Sequence, residues 1–157
     1  MSKFSEKNYR PCVGIVLIND GSIFAGQRLD YKSDAWQMPQ GGIEENESPI
    51  KAAIRELKEE TGIKKKHIRI ILESKNWINY DLPKELIPKL WNGKFVGQSQ
   101  KWFLFKFIGI DDDINIETKD QEFSHWKWSN KTDMLDSIVP FKKSLYQSVL
   151  KDFDLGF

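Results

Sequence analysis

A chain of 157 residues, 39% hydrophobic and 13% aromatic, is long enough to bury a sizeable core and is expected to form a single domain over 1–157. A single cysteine, Cys12, excludes an internal disulfide framework and fits a reducing cytoplasm; no apolar run approaches the ~20 residues of a membrane span, and residues 1–8 lack the apolar stretch of a secretory signal. A formal net charge of +1 with no basic tract argues against extended tracking along a nucleic acid.

The predicted elements begin with strands over 13–18 and 23–28, joined by Asn19-Asp20-Gly21-Ser22 as a hairpin turn, with Cys12 a small buried residue. Residues 36–39 read as a short strand leading into Gly41 and Gly42. Ser48 is a good N-cap, Pro49 suits the first helical position and Gly62 is a stop signal, so a helix is predicted between them. Strands follow at 68–75, 102–108 and 123–128, the second of them largely apolar and therefore buried. Residues 77–97 have no clean period and read as a long loop at the rim of the site. Helices are predicted at 134–139, opened by Thr132 or Asp133, and at 141–153. Asp111-Asp112-Asp113 reads as a turn, and His67 and His125 lack zinc spacing.

The segment 41–63 carries the chemistry. On its helix, Ile50, Ala53, Ile54 and Leu57 repeat at the spacing of a docked face, while Glu56, Glu59 and Glu60 share another face. Three carboxylates on one face can be a solvated surface, because like charges at this spacing cost only about 0.2–0.5 kcal/mol per pair. They can equally be hard oxygen ligands for magnesium or manganese. Arg55 lies among glutamates and is best read as the fork-shaped partner of Glu47. The segment holds six glutamates against Lys51, Arg55 and Lys58, a balance of −3, leaving +4 for the remainder.

The whole string resembles the Nudix box, G-x5-E-x7-R-E-U-x-E-E-x-G-U with U aliphatic. It maps without departure onto Gly41, Glu47, Arg55, Glu56, Leu57, Glu59, Glu60, Gly62 and Ile63. The resemblance implies an α+β Nudix fold, an α/β/α sandwich with a central mixed sheet, and a metal-dependent hydrolase of phosphoanhydrides. It implies Mg2+ (or Mn2+) held by Gly41, Glu56, Glu59, Glu60 and Glu122, with catalytic roles for Glu56, Glu59, Glu60 and Glu122. Which of these removes a proton from water stays open.

Outside the box the chain resembles the bacterial RNA pyrophosphohydrolases, a group also described as dinucleoside polyphosphate hydrolases. The matching pieces are 9–16, 36–42, 97–103, Glu122-Phe123 with Trp126 and Trp128, and Phe141-Lys142. This resemblance implies substrate contacts from Arg10, Arg28, Gln40, Gln98, Lys101, Phe141 and Lys142. Arg10 and Lys142 would hold phosphates, Arg28 the 5′ nucleotide and Phe141 a stacked base. The implied partner is the 5′ end of RNA, from which pyrophosphate is removed to initiate mRNA decay, or alternatively a diadenosine tetra- or pentaphosphate. A protein activator is a further candidate partner, and a monomer is expected. The non-enzymatic alternative is a nucleotide-sensing module on the same fold, which would be expected to lose acidic box positions; none is lost here.

Overall fold

A two-residue turn opens the fold. In this computed structural model, which describes residues 8–29, 35–85 and 94–153, β1 (Tyr9–Asn19) and β2 (Ser22–Arg28) are joined by Asp20 and Gly21. Both turn residues have positive φ (50° and 79°), the conformation whose twist matches the flanking strands. β3 (Trp36–Gln37) and β4 (Gln40–Gly42) follow, then α1 (Pro49–Thr61), β5 (Ile68–Glu73), β6 (Ile78–Asp81), β7 (Gly97–Phe107), β8 (Phe123–Ser129), α2 (Lys131–Ser137) and α3 (Lys143–Asp152).

Among the described residues these eight strands form one mixed sheet. Its main path runs β3-β2-β1-β7-β5, with β8 beside β2, and β4 and β6 pairing the outer ends of β1 and β7. β1 and β7 are parallel over ten residue pairs, from Tyr9↔Gly97 to Ile18↔Lys106, and the other pairings are antiparallel. A parallel pair needs a covered face on each side. One face is covered by α1 through Ala52, Ala53 and Leu57, packed on Val13, Ile15, Phe103 and Phe105. The other is covered by α2 and α3 through Met134, Leu145, Tyr146, Val149 and Leu150, packed on Val16, Trp102 and Leu104. The expected α+β sandwich is therefore present, and Leu57→Ala would cost it about 2–5 kcal/mol. Among the described residues no helix is long and apolar enough to cross a membrane.

Several boundaries differ from the sequence reading for physical reasons. β7 starts at Gly97 rather than 102, because its polar first half is paired by β1 on one side and β6 on the other. β6 lies inside the segment read as loop; its four residues are too few for a visible period, and pairing with β7 supplies the hydrogen bonds. Residues 86–93 of that segment lie outside the described residues. α2 starts at Lys131 because Asn130, not Thr132 or Asp133, is its cap, accepting from the Asp133 N–H at 2.8 Å. Residues 140–142 form a separate 3-10 turn ahead of α3. The predicted caps of α1 hold: the Ser48 hydroxyl accepts from the Lys51 N–H, and Gly62 closes the helix at φ 73°.

Two consequences of this topology build the site. β4 pairs Gly42 and Gly41 with Cys12 and Val13, which brings the start of the box against β1 just before α1. The parallel pairing sets Arg10 beside Gln98 and Cys12 beside Gln100.

Candidate active site

Arg55 ties the acidic helix to the loop before it. Its Nε donates to Glu47 Oε2 at 2.7 Å and its Nη2 to Glu47 Oε1 at 2.8 Å, a bidentate pair as its spacing predicts. Nη2 also donates to the Gly42 carbonyl at 2.9 Å, and Nη1 to Glu59 Oε2 at 3.1 Å. The guanidinium holds the Glu47 carboxyl at about 2, well below the usual carboxylate range. Arg55 thus fixes the position of the glycine loop relative to α1.

The carboxylates of α1 occupy different environments. Glu59 is half exposed. Glu56 is mostly buried, and a Cβ on Gly41 would collide with its Oε2, so the bare backbone here is a steric requirement. Burial pushes the Glu56 carboxyl up to about 7, with Arg55 opposing and Glu59 adding to the shift. Glu60 is buried at 6% exposure, accepts from the Gln40 N–H at 3.2 Å, and is pushed well above the ordinary range by burial and by the charges of Glu56 and Glu122. Glu122 precedes β8, with Oε2 3.7 Å from Arg28 Nη2.

Carboxylates crowded into low dielectric are costly unless a cation joins them. Among the described residues, no three His, Cys, Asp or Glu side chains converge as they would around an ion. Arg55 Nη1 lies 3.6 Å from Glu56 Oε2 and 3.1 Å from Glu59 Oε2, so one guanidinium nitrogen serves both carboxylates. The donor set is nonetheless all oxygen, with Glu56 and Glu60 largely buried, which fits a hard divalent cation.

A second wall rises on the α3 side of the sheet. Gln98, Gln100 and Trp102 alternate on β7 and share this face with Arg10 and Cys12. The Arg10 guanidinium packs against Gly42, where a Cβ would meet it, and Nη1 reaches Cys12 Sγ at 3.7 Å. Cys12 is fully buried, and burial pushes its thiol up to about 11. Lys142 is buried at 6% exposure, with Nζ 5.8 Å from the centre of the Tyr80 ring. Burial brings its ammonium down to about 8; Arg28 adds to that shift, while Cys12 and Glu60 oppose it. The Phe141 ring lies 6.3 Å from that of Tyr80, tilted by 38°, and is only partly buried.

The structure therefore brings Arg10, Arg28, Gln40, Gln98, Phe141 and Lys142 around the acidic helix end. Lys101 lies apart, one register step from Gln100 and so on the α1 side of the sheet. There its Nζ donates to the Lys75 carbonyl at 3.4 Å and sits 3.5 Å from Glu73. His125 is exposed and His67 faces Asp113 at 3.6 Å, so neither joins the cluster. Tyr80, Gln100 and Trp102 were not singled out from sequence. The alternation Gln98-x-Gln100-x-Trp102 was the available signal for two of them, whereas Tyr80 sits on a strand whose pattern is too short to read.

Comparison with known proteins identifies the domain. Residues 8–149 match the model of the NUDIX domain. The chain is 53% identical over 146 residues to the RNA pyrophosphohydrolase of Cereibacter sphaeroides, covering 92% of this chain and 90% of that one. It is 54% identical over 153 residues to the RNA pyrophosphohydrolase of Rickettsia canadensis, covering 97% and 94%. Among solved structures, the Ap4A hydrolase of C. elegans superimposes with a TM-score of 0.65 at 23% identity, over 93% of this chain and 99% of that one. The dihydroneopterin triphosphate pyrophosphohydrolase of E. coli does so at 0.70 and 19% identity, over 89% and 95%. At such identities the structures speak for the fold alone, but half the residues shared with curated relatives along nearly their whole length say more: this chain belongs to the Nudix family.

Proposed function

We propose that this protein removes pyrophosphate from the 5′-triphosphate end of RNA, using a divalent cation, magnesium or manganese. The observation that carries the reading is the meeting of two opposed walls at one end of the sheet. Glu56 and Glu60 form a buried acidic floor, the charges of Arg28 and Lys142 reach Glu60, and Arg10 packs against Gly42 and Cys12 beside it. A polyphosphate is the substrate class that needs both. The names of the curated relatives, which share more than half of their aligned residues with this chain, support RNA as its carrier.

Glu56, Glu59, Glu60, Glu122 and the Gly41 backbone would hold the cation, which when bound neutralises charge developing on the departing pyrophosphate. Arg10 and Lys142 bind phosphate oxygens. Arg28 contacts the 5′ nucleotide, and Phe141 stacks a base, a grip that is tolerant of sequence. Glu122 lies outside the α1 cluster and keeps an accessible carboxylate, so it takes the proton from the attacking water at one of its Oε atoms. A monomer working in the cytoplasm meets these requirements.

Any polyphosphate could use the same cations, so diadenosine tetra- or pentaphosphate is the competing substrate. A head-to-head measurement of kcat/KM on 5′-triphosphate RNA and diadenosine pentaphosphate separates them. A preference for the RNA of tenfold or more is expected; a preference for the dinucleotide would move the physiological assignment to it.

A further inference from the structure

A hydrogen-bonded chain of side chains runs beneath the phosphate-facing wall. The Trp102 indole Nε1 donates to Gln100 Oε1 at 2.8 Å. Gln100 Nε2 donates to Gln98 Oε1 at 2.6 Å and to Gln40 Oε1 at 3.4 Å. Gln100 and Trp102 are both fully buried. The direction of this chain is not arbitrary. An indole N–H can only donate, so it fixes the oxygen of Gln100 toward Trp102 and leaves both hydrogens of its NH2 group for the other two amides. Gln98 and Gln40 must then turn their oxygens inward and their own NH2 groups away from Gln100. Among the described residues neither of those NH2 groups meets an acceptor. Gln40 is anchored at the acidic floor by its own backbone N–H to Glu60, and Gln98 stands beside Arg10 in the sheet.

We propose that Gln100 is a positioning residue that locks Gln40 and Gln98 with their N–H donors facing the bound phosphates, its own polarity set by Trp102. The proposal rests on the polyphosphate-hydrolase reading above and adds to it the device that makes two neutral amides act only as donors. An amide free to rotate would have to order its NH2 group toward the anion on binding; the indole sets that orientation beforehand. Since donors held on a phosphate act in the ground state and the transition state alike, the contribution belongs in KM rather than kcat.

The test uses Gln100→Glu. A carboxylate still accepts from Trp102 but has no hydrogen to donate, so Gln98 and Gln40 turn their NH2 groups inward and present oxygens to the substrate. On 5′-triphosphate RNA, KM is expected to rise roughly 10- to 100-fold with kcat within about threefold of the native enzyme. Because a new charge could repel the substrate directly, the same change is made on a Gln40→Ala/Gln98→Ala background. If Gln100 acts through the amides, the KM penalty largely disappears there; a penalty of the same size on both backgrounds overturns the proposal. A second measurement needs no variant. Titration of the native protein with a methylene-bridged nucleoside triphosphate and magnesium should shift the side-chain NH2 resonances of Gln40 and Gln98. Unmoved resonances on saturation would overturn the proposal even if Gln100→Glu failed to fold. Native protein inactive on every phosphoanhydride would instead remove the reading of function beneath it.

Discussion

The acidic helix and the wall opposite it are built by different means. The carboxylates of α1 come from one unbroken stretch, 41–63, in which the same helix supplies the core face, the caps, the clamp and the acidic cluster. The opposite wall takes Arg10 from β1, Arg28 from β2, Tyr80 from β6, Gln98 from β7 and Phe141-Lys142 from the turn before α3. Cation chemistry needs several oxygens at fixed mutual spacing, and one helix provides most of them. Gripping a long polyanion needs donors spread over several ångströms, which only a sheet can collect. The two walls should accordingly fail in different ways when altered.

The sharpest break is expected at Glu59. It is half exposed, with 54% of its side chain accessible, so replacing its charge should cost the fold little. On the proposed reading Glu59→Gln removes a cation ligand and should lower kcat by about a thousandfold or more with an almost unchanged melting temperature. Steady-state turnover at saturating magnesium measures the first and a thermal scan the second. Near-normal turnover would leave α1 an ordinary acidic surface and dissolve the contrast between the walls.

That contrast also explains what could be read without coordinates. The Asp20-Gly21 turn, the Ser48-Pro49 start and the Gly62 stop were legible because each is local backbone chemistry. The pairing of Arg55 with Glu47 was legible for the same reason, eight residues being one loop and two turns of helix. Strand β6 was not, since four residues become a strand only where β7 offers a ladder. Nor was Tyr80, whose position under Lys142 and Phe141 is created by pairing between segments far apart in the chain. Arg10, Arg28, Gln98, Phe141 and Lys142 were picked out by resemblance to relatives rather than by any local signal. Lys101, picked out in the same way, stands on the other face of the sheet beside Glu73. Periodicity reports the partner face of an element, and a recognition wall made of single residues from five segments has no period.

The second prediction concerns the cost of the recognition wall. A lysine ordinarily near 10.5 is brought down to about 8 at Lys142 by burial, with Arg28 adding to the effect. The unfolded chain therefore holds this proton more tightly than the folded one. Below pH 8 the fold carries the full penalty of a buried ammonium, about 3 kcal/mol, and stability recovers as pH rises from about 8 to 10.5. Lys142→Met removes the penalty and forfeits the contact with the Tyr80 ring, worth about 1 kcal/mol. The variant should be more stable than the native protein by about 1–3 kcal/mol at pH 7, and the advantage should shrink by pH 10. Urea unfolding at the two pH values tests this; an equal difference at both would show that the lysine does not titrate as its surroundings require. Activity should move the other way, with RNA turnover weakened in the variant. In the native enzyme kcat/KM should decline above pH 8, as the ammonium that grips phosphate is lost.

The smallest and most specific effect is expected at Phe141. A phenylalanine ahead of a helix is by default a core residue, yet this one packs into neither core and keeps part of its surface open beside Tyr80. Tyr80 supports it from one side, and the ring centres, 6.3 Å apart and tilted by 38°, leave no room for a base between them. A base would therefore stack on the outer face of Phe141 alone. Stacking on an aromatic side chain is worth about 1–3 kcal/mol per base, so Phe141→Ala should weaken RNA turnover roughly 5- to 150-fold in kcat/KM. A small phosphoanhydride lacking a second base has nothing to stack there and should lose much less. Measuring both substrates with the same variant makes the comparison internal, since any loss of packing lowers both. Equal losses would return Phe141 to the core and leave the recognition wall with its charges alone.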